Sequence, residues 1–513
     1  MPRNIAASIV DFKGLDENMT LGSSLQVTTS LDNVIVRNGS VKGRKGIALW
    51  DGISTASADP IIGLWDFYAP AVGGSSFVRI HGTKFEQWDD GTSAWVDKTG
   101  AALSSSITTT TRPSFANMSD EGFMVFTTEG LDRPRKYDGS GNSATLGGTP
   151  PFAKWLCPYV GFLFLFNTST DGAFDEIADS ITAYFSDQPD NSWDLCEGNT
   201  IIYDESPGEI RAADVFNESM LVLKADCLVS TRFVGGVVRF ERDRLPFAHG
   251  ILAPLSLKKC GDYGDIFLAT DRNLYRTDGF HVQALPGNVQ KALQETMTPA
   301  LAPYVSACVD LSHETYHLLY QRNSSTFFDG RLSFNYRTGE FYKGVYAGRE
   351  LVRIHAFKQS NDKDTQIVAS VNDKKVYELE TGTDDAATAV SRFYDIDWNQ
   401  FGNPGTKYLT GVNLTFVKAS NVQVEVSVAI DHSSKFQYPR MMTLKGISSP
   451  SDENVRVKYS LPSPIFGSWF KIRIKLYHYG STNVAELLEV EPEIIPIHHT
   501  AEHESKQYMA QRA

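Results

Sequence analysis

Short runs of alternating apolar and polar residues fill the first 390 positions, and Gly, Asp, Asn or Pro interrupts each of them. Clear examples lie at 77–80, 123–127, 162–166 and 265–269. A period of two over a handful of residues is typical of β-strands with one buried face. The pattern predicts an all-β protein.

One segment, 288–297, has helical spacing instead. Asn288 is the candidate N-cap, and an apolar face recurs at i, i+4 and i+8 through Val289, Leu293 and Met297. This spacing predicts a short helix, which leaves the fold class unchanged.

A recurring turn divides this region into units. Five times an aromatic strand end runs into an Asp-Gly or Thr-Gly turn, at 88–91, 137–139, 275–279, 336–339 and 377–382. The glycines are 48, 140, 60 and 43 residues apart, and weaker turns at 187–189 and 234–236 divide the long interval. Units of about 40–50 residues are typical of four-stranded propeller blades. We predict a β-propeller over 61–390 with about seven blades. Six would also fit, and chance recurrence of such turns in another all-β fold is the alternative.

The strands after residue 391 are longer and more regular. Both 422–430 and 470–476 alternate strictly, so each has one apolar and one polar face. With 408–416, 455–459 and 485–490 they predict a C-terminal β-sandwich over 391–497. Residues 1–60 are interpreted as strands that lead into or brace the propeller, and 498–513 as a polar tail.

Charge and cysteine usage narrow the classes of function. The 513-residue chain has a net charge of −13 and a pI near 5.4, which argues against a basic face that binds nucleic acid. The negative charge is compatible with an acidic surface past which DNA slides, because such a surface repels the phosphates.

Five cysteines without a CxxC pair predict free, buried thiols and synthesis in a reducing compartment. No signal peptide or membrane insertion is predicted, since the longest apolar run, 160–166, has the length of a strand.

Motifs for nucleotide, metal or nucleophile chemistry are missing from the sequence. It contains no GxxxxGK[ST], GxGxxG, HExxH or GxSxG pattern. We therefore predict no catalytic residues, no cofactor and no metal site. His498, His499 and His503 crowd the polar tail, where no preformed tetrahedral metal site is expected.

Three other clusters allow two interpretations each. The segment 89–95 is similar to the Asp-box turn of sialidase-type propellers, but its aromatic residue comes one place late, so a blade-end turn is favoured. A strand carrying Arg239, Arg242 and Arg244 alternates with acids, which favours solvated or inter-subunit ion pairs over phosphate binding. The stripe at 471–475, with Lys471, Arg473 and Lys475, is interpreted as the solvent face of a strand, with a surface that contacts a partner as the alternative.

The order of residues from 14 to 50 is distinctive. Gly14-Leu15 precedes the strand 31–36, which leads through Gly39 and Val41 to the corner 44–46, of sequence Arg-Lys-Gly. This resembles the opening of the propeller-bearing tail nozzle, or DNA-stabilisation, proteins of short-tailed bacteriophages. Many members of that family have proline where this chain has Lys45. The lead-in at 402–409 is similar to the start of the sandwich in the same family.

The resemblance implies a structural virion protein of the phage tail and not an enzyme. Copies of the chain, typically six in that family, would form a ring below the portal–adaptor complex, with tail fibres or a needle as further neighbours. Such a ring, assembled in the host bacterial cytoplasm, would retain packaged DNA and conduct it during ejection. Double-stranded DNA would pass through transiently, and the sequence assigns no residue to the channel lining.

Two alternatives belong to other functional classes. One is a propeller glycosidase or lyase acting on host surface sugar, which needs a carboxylate pair in a central cleft. The other is a receptor-binding module that would stack sugar on exposed aromatics, with Trp65, Trp88 and Trp193 as candidates. Tryptophan packed between blades is the simpler interpretation of those three residues.

Overall fold

The computed structural model describes residues 4–5, 8–16, 26–50, 56–69, 73–174, 177–187, 193, 199–236, 239–286, 289–321, 328–346, 349–357, 366–371, 373–382, 384–385, 390–401, 405–417, 422–444, 454–478 and 485–496. The chain divides into two compact units, 45–390 and 1–44 with 391–513. It passes between them twice, at 44–45 and at 390–391.

In the described residues, the unit 45–390 is a seven-bladed β-propeller, and each blade contains four antiparallel strands. Blades 1 to 4 consist of Ile61–Ala69, Gly74–His81, Lys84–Asp89 and Ala94–Asp97; Ser114–Met118, Phe123–Thr127, Arg135–Tyr137 and Ala144–Thr145; Phe152–Tyr159, Phe162–Ser169, Thr182–Ser186 and Thr200–Ile202; and Ile210–Phe216, Ser219–Lys224, Leu228–Phe233 and Phe240–Arg244. Blades 5 and 6 consist of Lys258–Lys259, Asp265–Leu268, Leu274–Thr277 and Val282–Ala284; and Ala307–Asp310, Thr315–Tyr320, Gly330–Asn335 and Glu340–Val345. The predicted propeller is confirmed, with seven blades rather than six.

Blade 7 is closed by a strand from the other end of the unit. Its first three strands are Leu351–Phe357, Gln366–Val371 and Val376–Leu379, and the fourth is Ile47–Leu49. The register pairs Leu379 with Ile47 and Tyr377 with Leu49, antiparallel. The start and the end of the propeller sequence therefore share one sheet, which closes the ring of blades without a covalent link.

The apolar cores lie between adjacent blades. Blades 3 and 4 enclose an aromatic cluster in which Phe164 stacks on Phe185 with ring centroids 5.2 Å apart. Blades 7 and 1 enclose Trp50, Trp88 and Phe357, and Trp88 is 5% exposed. Because each blade buries both faces against its neighbours, the strands carry nearly continuous apolar runs at their centres.

The predicted helix is present as Gln290–Thr296. Its apolar face, formed by Val289, Leu293 and Met297, is buried, whereas the candidate cap Asn288 lies outside the described residues. Among the described residues, shorter helical segments include Ile177–Ile181, Pro254–Ser256, Gly261–Tyr263 and Ala302–Tyr304.

The second unit is a β-sandwich built from both ends of the chain. One sheet contains Asn4–Ile5, Val34–Arg37, Ser40–Gly43, Lys407–Val417, Val455–Gly467 and Glu486–Pro496. The other contains Leu31–Asp32, Phe393–Asn399, Val422–Ile430, Gln437–Leu444 and Phe470–His478. Two short strands, Gly14–Leu15 and Val27–Thr28, pair in parallel.

The division of the N-terminal region differs from our interpretation of 1–60 as one segment. Residues 1–44 group with the sandwich, where Val36 and Val41 pair across a hairpin and are both fully buried. Only the part after residue 45 joins the propeller. The predicted tail, 498–513, lies outside the described residues.

Candidate functional site

A cavity of about 360 Å³ lies on the propeller axis. The innermost part of every blade borders it, through 62–65, 113–117, 155–158, 212–214, 254–255 with 257–258, 306–307 and 353–355. Asn117 borders the cavity and is itself exposed, so the opening lies beside it. A pre-formed concave space with a few polar groups among apolar walls is the usual form of a ligand site.

Arg353, on the inner strand of blade 7, holds several blades together at this axis. Its Nε donates to the carbonyl oxygen of Ile62 at 2.8 Å, and its Nη2 donates to that of Thr111 at 2.9 Å. Its Nη1 donates to the carbonyls of Val352 at 2.8 Å and of Tyr304 at 3.5 Å. Burial, reinforced by the nearby Arg112, lowers the pKa of Arg353 to about 10. With these donors in use, the guanidinium is a structural clamp.

Replacing Arg353 with Met should lower the free energy of unfolding by about 3 kcal/mol, because the buried carbonyls lose charged donors. Urea denaturation followed by tryptophan fluorescence measures the change. Arg337→Met is the control, since Arg337 is exposed and its one ion pair among the described residues is with Glu314, and it should cost less than about 1 kcal/mol. Equal losses in the two variants would contradict the clamp.

Asp214 and Lys258 face the cavity from the inner strands of blades 4 and 5. The only hydrogen bond of the Asp214 carboxyl to described residues comes from the backbone N–H of Val215, at 2.7 Å. Lys258 has neither a hydrogen bond nor an ion pair with any described residue. Burial raises the pKa of Asp214 and lowers the pKa of Lys258, so each charge lies in a poorly solvated place.

Asp265, on the second strand of blade 5, is a second unusual carboxyl group. It is fully buried, and neither carboxylate oxygen has a hydrogen-bond partner among the described residues. Burial, with a further contribution from the Asp214 charge, raises the pKa of Asp265 to about 8. A carboxyl in this state is stable only when it is protonated.

Asp265 should therefore make the protein less stable as pH rises. Between about pH 4, where an unfolded Asp titrates, and about pH 8, the folded chain holds one proton more than the unfolded chain. Its contribution to stability falls by up to about 1.4 kcal/mol per pH unit in that window and levels off above it. Denaturation midpoints measured from pH 5 to 9 report this slope.

The matched variants for this prediction are Asp265→Asn and Asp120→Asn. Asn stays neutral, so Asp265→Asn should reduce the slope and stabilise the chain most at pH 8 and above. Asp120 is exposed in a turn of blade 2, and its replacement should leave the slope unchanged. An unchanged slope in Asp265→Asn would show that this carboxyl is already charged at pH 5.

A histidine and an aromatic pair complete the polar border of the cavity. His355 Nε2 lies 2.6 Å from Asp66 Oδ1. Trp65 stacks on Phe115 with ring centroids 5.6 Å apart, lies 5.5 Å from the tilted ring of His355, and donates from Nε1 to Asn117. Trp65 is half-buried and already in contact with two rings, which argues against this residue as a sugar-stacking platform.

The cavity border does not carry two carboxylates for glycoside hydrolysis. Asp214 is the only acidic residue among the described residues that border it, whereas that chemistry uses an acid and a base about 5–9.5 Å apart. In the described part of the chain no group of three metal-ligating side chains is found, and no helix there is long and apolar enough to span a membrane. The predicted absence of an active site stays a prediction.

The other sequence candidates have structural environments. The Asp89 carboxylate accepts hydrogen bonds from Gly91 N–H and the Thr92 hydroxyl in the turn between strands 3 and 4 of blade 1. Trp88 and Trp193 are buried, so neither offers an exposed face. Four cysteines are free and buried, at 157, 227, 260 and 308, while Cys196 and the tail histidines 498, 499 and 503 lie outside the described residues.

Of the three arginines in the stripe at 239–244, Arg242 is ion-paired in the described part of the chain. On the outer strand of blade 4, Arg242 contacts Asp204 and Glu205 at 3.4 and 3.0 Å, and neighbouring Arg232 contacts Asp243. No ion pair is found for Arg239 or Arg244 among the described residues, although Arg244 Nη1 donates to a carbonyl at 3.4 Å.

The stripe at 471–475 is not a plain solvent face, and that interpretation is wrong. Lys471 lies 2.7 Å from Asp397, Arg473 binds Asp395, and Lys475 lies 2.9 Å from Glu425. Acids on the adjacent strands half-bury these cations, which strand periodicity alone cannot reveal.

Hydrogen bonds and close backbone contacts restrict which residue types fit at the corner 44–46. Asn33 adopts a left-handed φ of 56°, which Asn tolerates better than most residues, and accepts from Arg44 Nε at 2.7 Å. Lys45 N–H donates to Glu380 at 3.1 Å, a bond that proline could not make. A Cβ on Gly46 would lie 2.1 Å from the carbonyl oxygen of Asp384. The corner therefore requires an Asn, an Arg and a Gly, each for a local physical reason.

Comparisons with known proteins give only distant structural similarities. No family model and no curated protein matches the sequence. A putative gluconolactonase is similar at a TM-score of 0.32 and 10% identity, covering 69% of this chain and 96% of its own. The N-terminal domain of Nup159 has a TM-score of 0.36 and 12% identity, covering 69% and 99%. An exo-β-1,3-galactanase from Phanerochaete chrysosporium, solved with β-1,3-galactotriose, has a TM-score of 0.25 and 9% identity, covering 95% and 100%. At these TM-scores the similarities carry no argument about chemistry.

Proposed function

We propose that the chain is a ring-forming structural subunit of a bacteriophage tail, of the nozzle type, which surrounds the DNA conduit. In this role it retains packaged DNA and conducts it during ejection. The partners are further copies of the chain, portal–adaptor proteins, and fibres or a needle. The location is the virion tail.

One observation carries the proposal. The residues on which the resemblance to the tail proteins rests occupy positions where the local structure tolerates few other residue types. Asn33 and Arg44 interlock inside the sandwich unit, and Gly46 leads directly into the strand that closes the propeller. Chance similarity would fall on replaceable surface residues as often as on such positions. The resemblance thus coincides with residues that the local structure constrains.

The propeller axis and the charge of the chain support the same role. A cavity of about 360 Å³, bordered by side chains of all seven blades, is too small for a DNA duplex. In this proposal DNA passes through a ring of subunits. A chain with net charge −13 gives such a ring an acidic character, which favours sliding over binding because duplex DNA carries one negative charge about every 1.7 Å.

Electron microscopy of phage particles tests the proposal. The expected result is density for seven-bladed discs arranged in a closed ring around the DNA axis, and labelling there by antibodies raised against the purified chain. A soluble glycan array with the same protein is the counter-test and should stay blank. Absence from the particle, or labelling at fibre tips together with glycan binding, would overturn the proposal in favour of receptor binding.

A further inference from the structure

The propeller cavity contains two oppositely charged groups that attract each other but make no direct contact. No ion pair joins the Asp214 carboxyl and the Lys258 ammonium, although they come from adjacent blades. Lys258 has three N–H donors and no acceptor among the described residues. Burying a charged group without a partner is costly, and chains usually remove such groups or pair them.

A partner from outside the chain would satisfy both groups at once. It must present a negative group to Lys258 and a positive, hydrogen-bond-donating group to Asp214. A simple anion would give Asp214 no hydrogen-bond donor, and a simple cation would give Lys258 no acceptor. A zwitterion meets both requirements and adds no net charge to the cavity.

The apolar lining and the volume of the cavity restrict the polarity and the size of the uncharged part of the ligand. Leu64, Phe115, Trp155 and Ile354 are among the apolar residues that border the cavity. The volume of about 360 Å³ lies at the lower end of the usual range for ligand pockets, about 300–1,000 Å³. The arrangement therefore accommodates a small molecule with one apolar portion next to its two charges.

We propose that the cavity binds a small zwitterion with an apolar side chain, of the chemical class of the hydrophobic α-amino acids. The ligand carboxylate pairs with Lys258, and its ammonium group pairs with Asp214. Trp65 and Asn117 lie at the border, and the apolar side chain packs against the inner strands. This site is independent of the proposed tail function, because it needs only the intact propeller.

Isothermal titration calorimetry of the full chain with L-leucine tests the site. We expect one molecule bound per chain. Two analogues that each lack one charge, 4-methylpentanoate and 3-methylbutylamine, should bind at least about tenfold more weakly. This series uses only the wild-type protein, so it stays decisive even if a variant fails to fold.

Variants then assign the two charges. Lys258→Met and Asp214→Asn keep size and remove charge, and each should weaken L-leucine binding at least about tenfold. Lys291→Met is the matched control, because Lys291 is exposed on the short helix and, in the described part of the chain, forms an ion pair with Glu295 alone. It should leave the affinity unchanged.

Three results would overturn the proposal. The first is no heat of binding with 10 mM L-leucine, which would leave Asp214 and Lys258 bridged only by water. The second is equal affinity for 4-methylpentanoate, which would indicate a plain anion site. The third is unchanged affinity in both cavity variants, which would locate the binding elsewhere.

Discussion

Adding one methyl group at Gly46 is expected to lower the free energy of unfolding of the propeller by about 3 kcal/mol or more. The new Cβ would lie 2.1 Å from the carbonyl oxygen and 2.5 Å from the carbonyl carbon of Asp384, and both atoms belong to the backbone. A rotating side chain therefore cannot relieve the clash. The backbone must move, and with it the hydrogen bonds Gly46 N–H to Gly382 and Ile47 N–H to Asp384.

The damage should concentrate on the closing strand. Ile47–Leu49 is three residues long and completes blade 7 by pairing with Val376–Leu379. Displacing it leaves an open sheet edge and removes the link between the two ends of the propeller sequence. Hydrogen exchange should accelerate selectively in these two strands, in addition to the global loss of stability.

Gly74→Ala is the matched control for Gly46→Ala. A Cβ at Gly74 meets no atom within 4 Å, so this change should stay within about 0.5 kcal/mol of the wild type. Chemical denaturation of both variants gives the comparison. Equal stability in the two would mean that the corner relaxes freely and that the closing strand does not depend on it.

The blade count was predictable because one turn recurs at one structural position. The turns that contain Gly91, Gly139, Gly279 and Gly339 all lie between strands 3 and 4 of their blades, and Gly382 follows strand 3 of blade 7. The weaker turn at 234–236 has the same position in blade 4. Asp187 follows strand 3 of blade 3, while the other two residues of that turn lie outside the described residues. Local turn chemistry repeats with the blade, so its period is visible in the sequence.

The origin of the sandwich strands was not predictable in the same way. Strands 31–36 and 40–43 alternate like those of a blade, and periodicity does not say which sheet a strand joins. Ser40–Gly43 pairs with Glu486–Pro496, more than 400 residues away in the chain, and Leu31–Asp32 pairs with Phe393–Asn399, more than 350 residues away. The closing strand Ile47–Leu49 is also too short to produce a recognisable pattern.

The cavity residues give no sequence signal for a related reason. Asp214 and Lys258 come from different blades, and neither belongs to a motif, because a propeller axis collects one short stretch from each of seven sheets. Each stretch by itself is an ordinary strand start. These stretches become neighbours only when the ring of blades closes. A search for local sequence motifs therefore does not detect the cavity residues.

Removing the Asp395 carboxylate should lower the free energy of unfolding of the sandwich unit by about 3–5 kcal/mol. Asp395 is fully buried and accepts from Arg473 Nε at 2.7 Å and Nη2 at 2.8 Å, while Lys471 lies 3.3 Å away. The Arg473 guanidinium is also stacked 4.3 Å from the ring centroid of Phe393 and 4.2 Å from that of Phe436. Asp395→Leu therefore leaves a half-buried guanidinium that has lost its carboxylate and has little access to water.

Two further variants separate loss of the pair from loss of volume. Replacing both partners, in Asp395→Leu with Arg473→Met, removes the uncompensated charge and should recover part of the lost stability. Lys458→Ala breaks the more exposed pair with Glu493 in the same unit and should cost less than about 1 kcal/mol. Denaturation curves followed by the ellipticity of the β-sheets give all three values. A double variant no more stable than Asp395→Leu alone would mean that the stabilisation comes from packing around the two aromatic rings, and the ion pair would then be incidental.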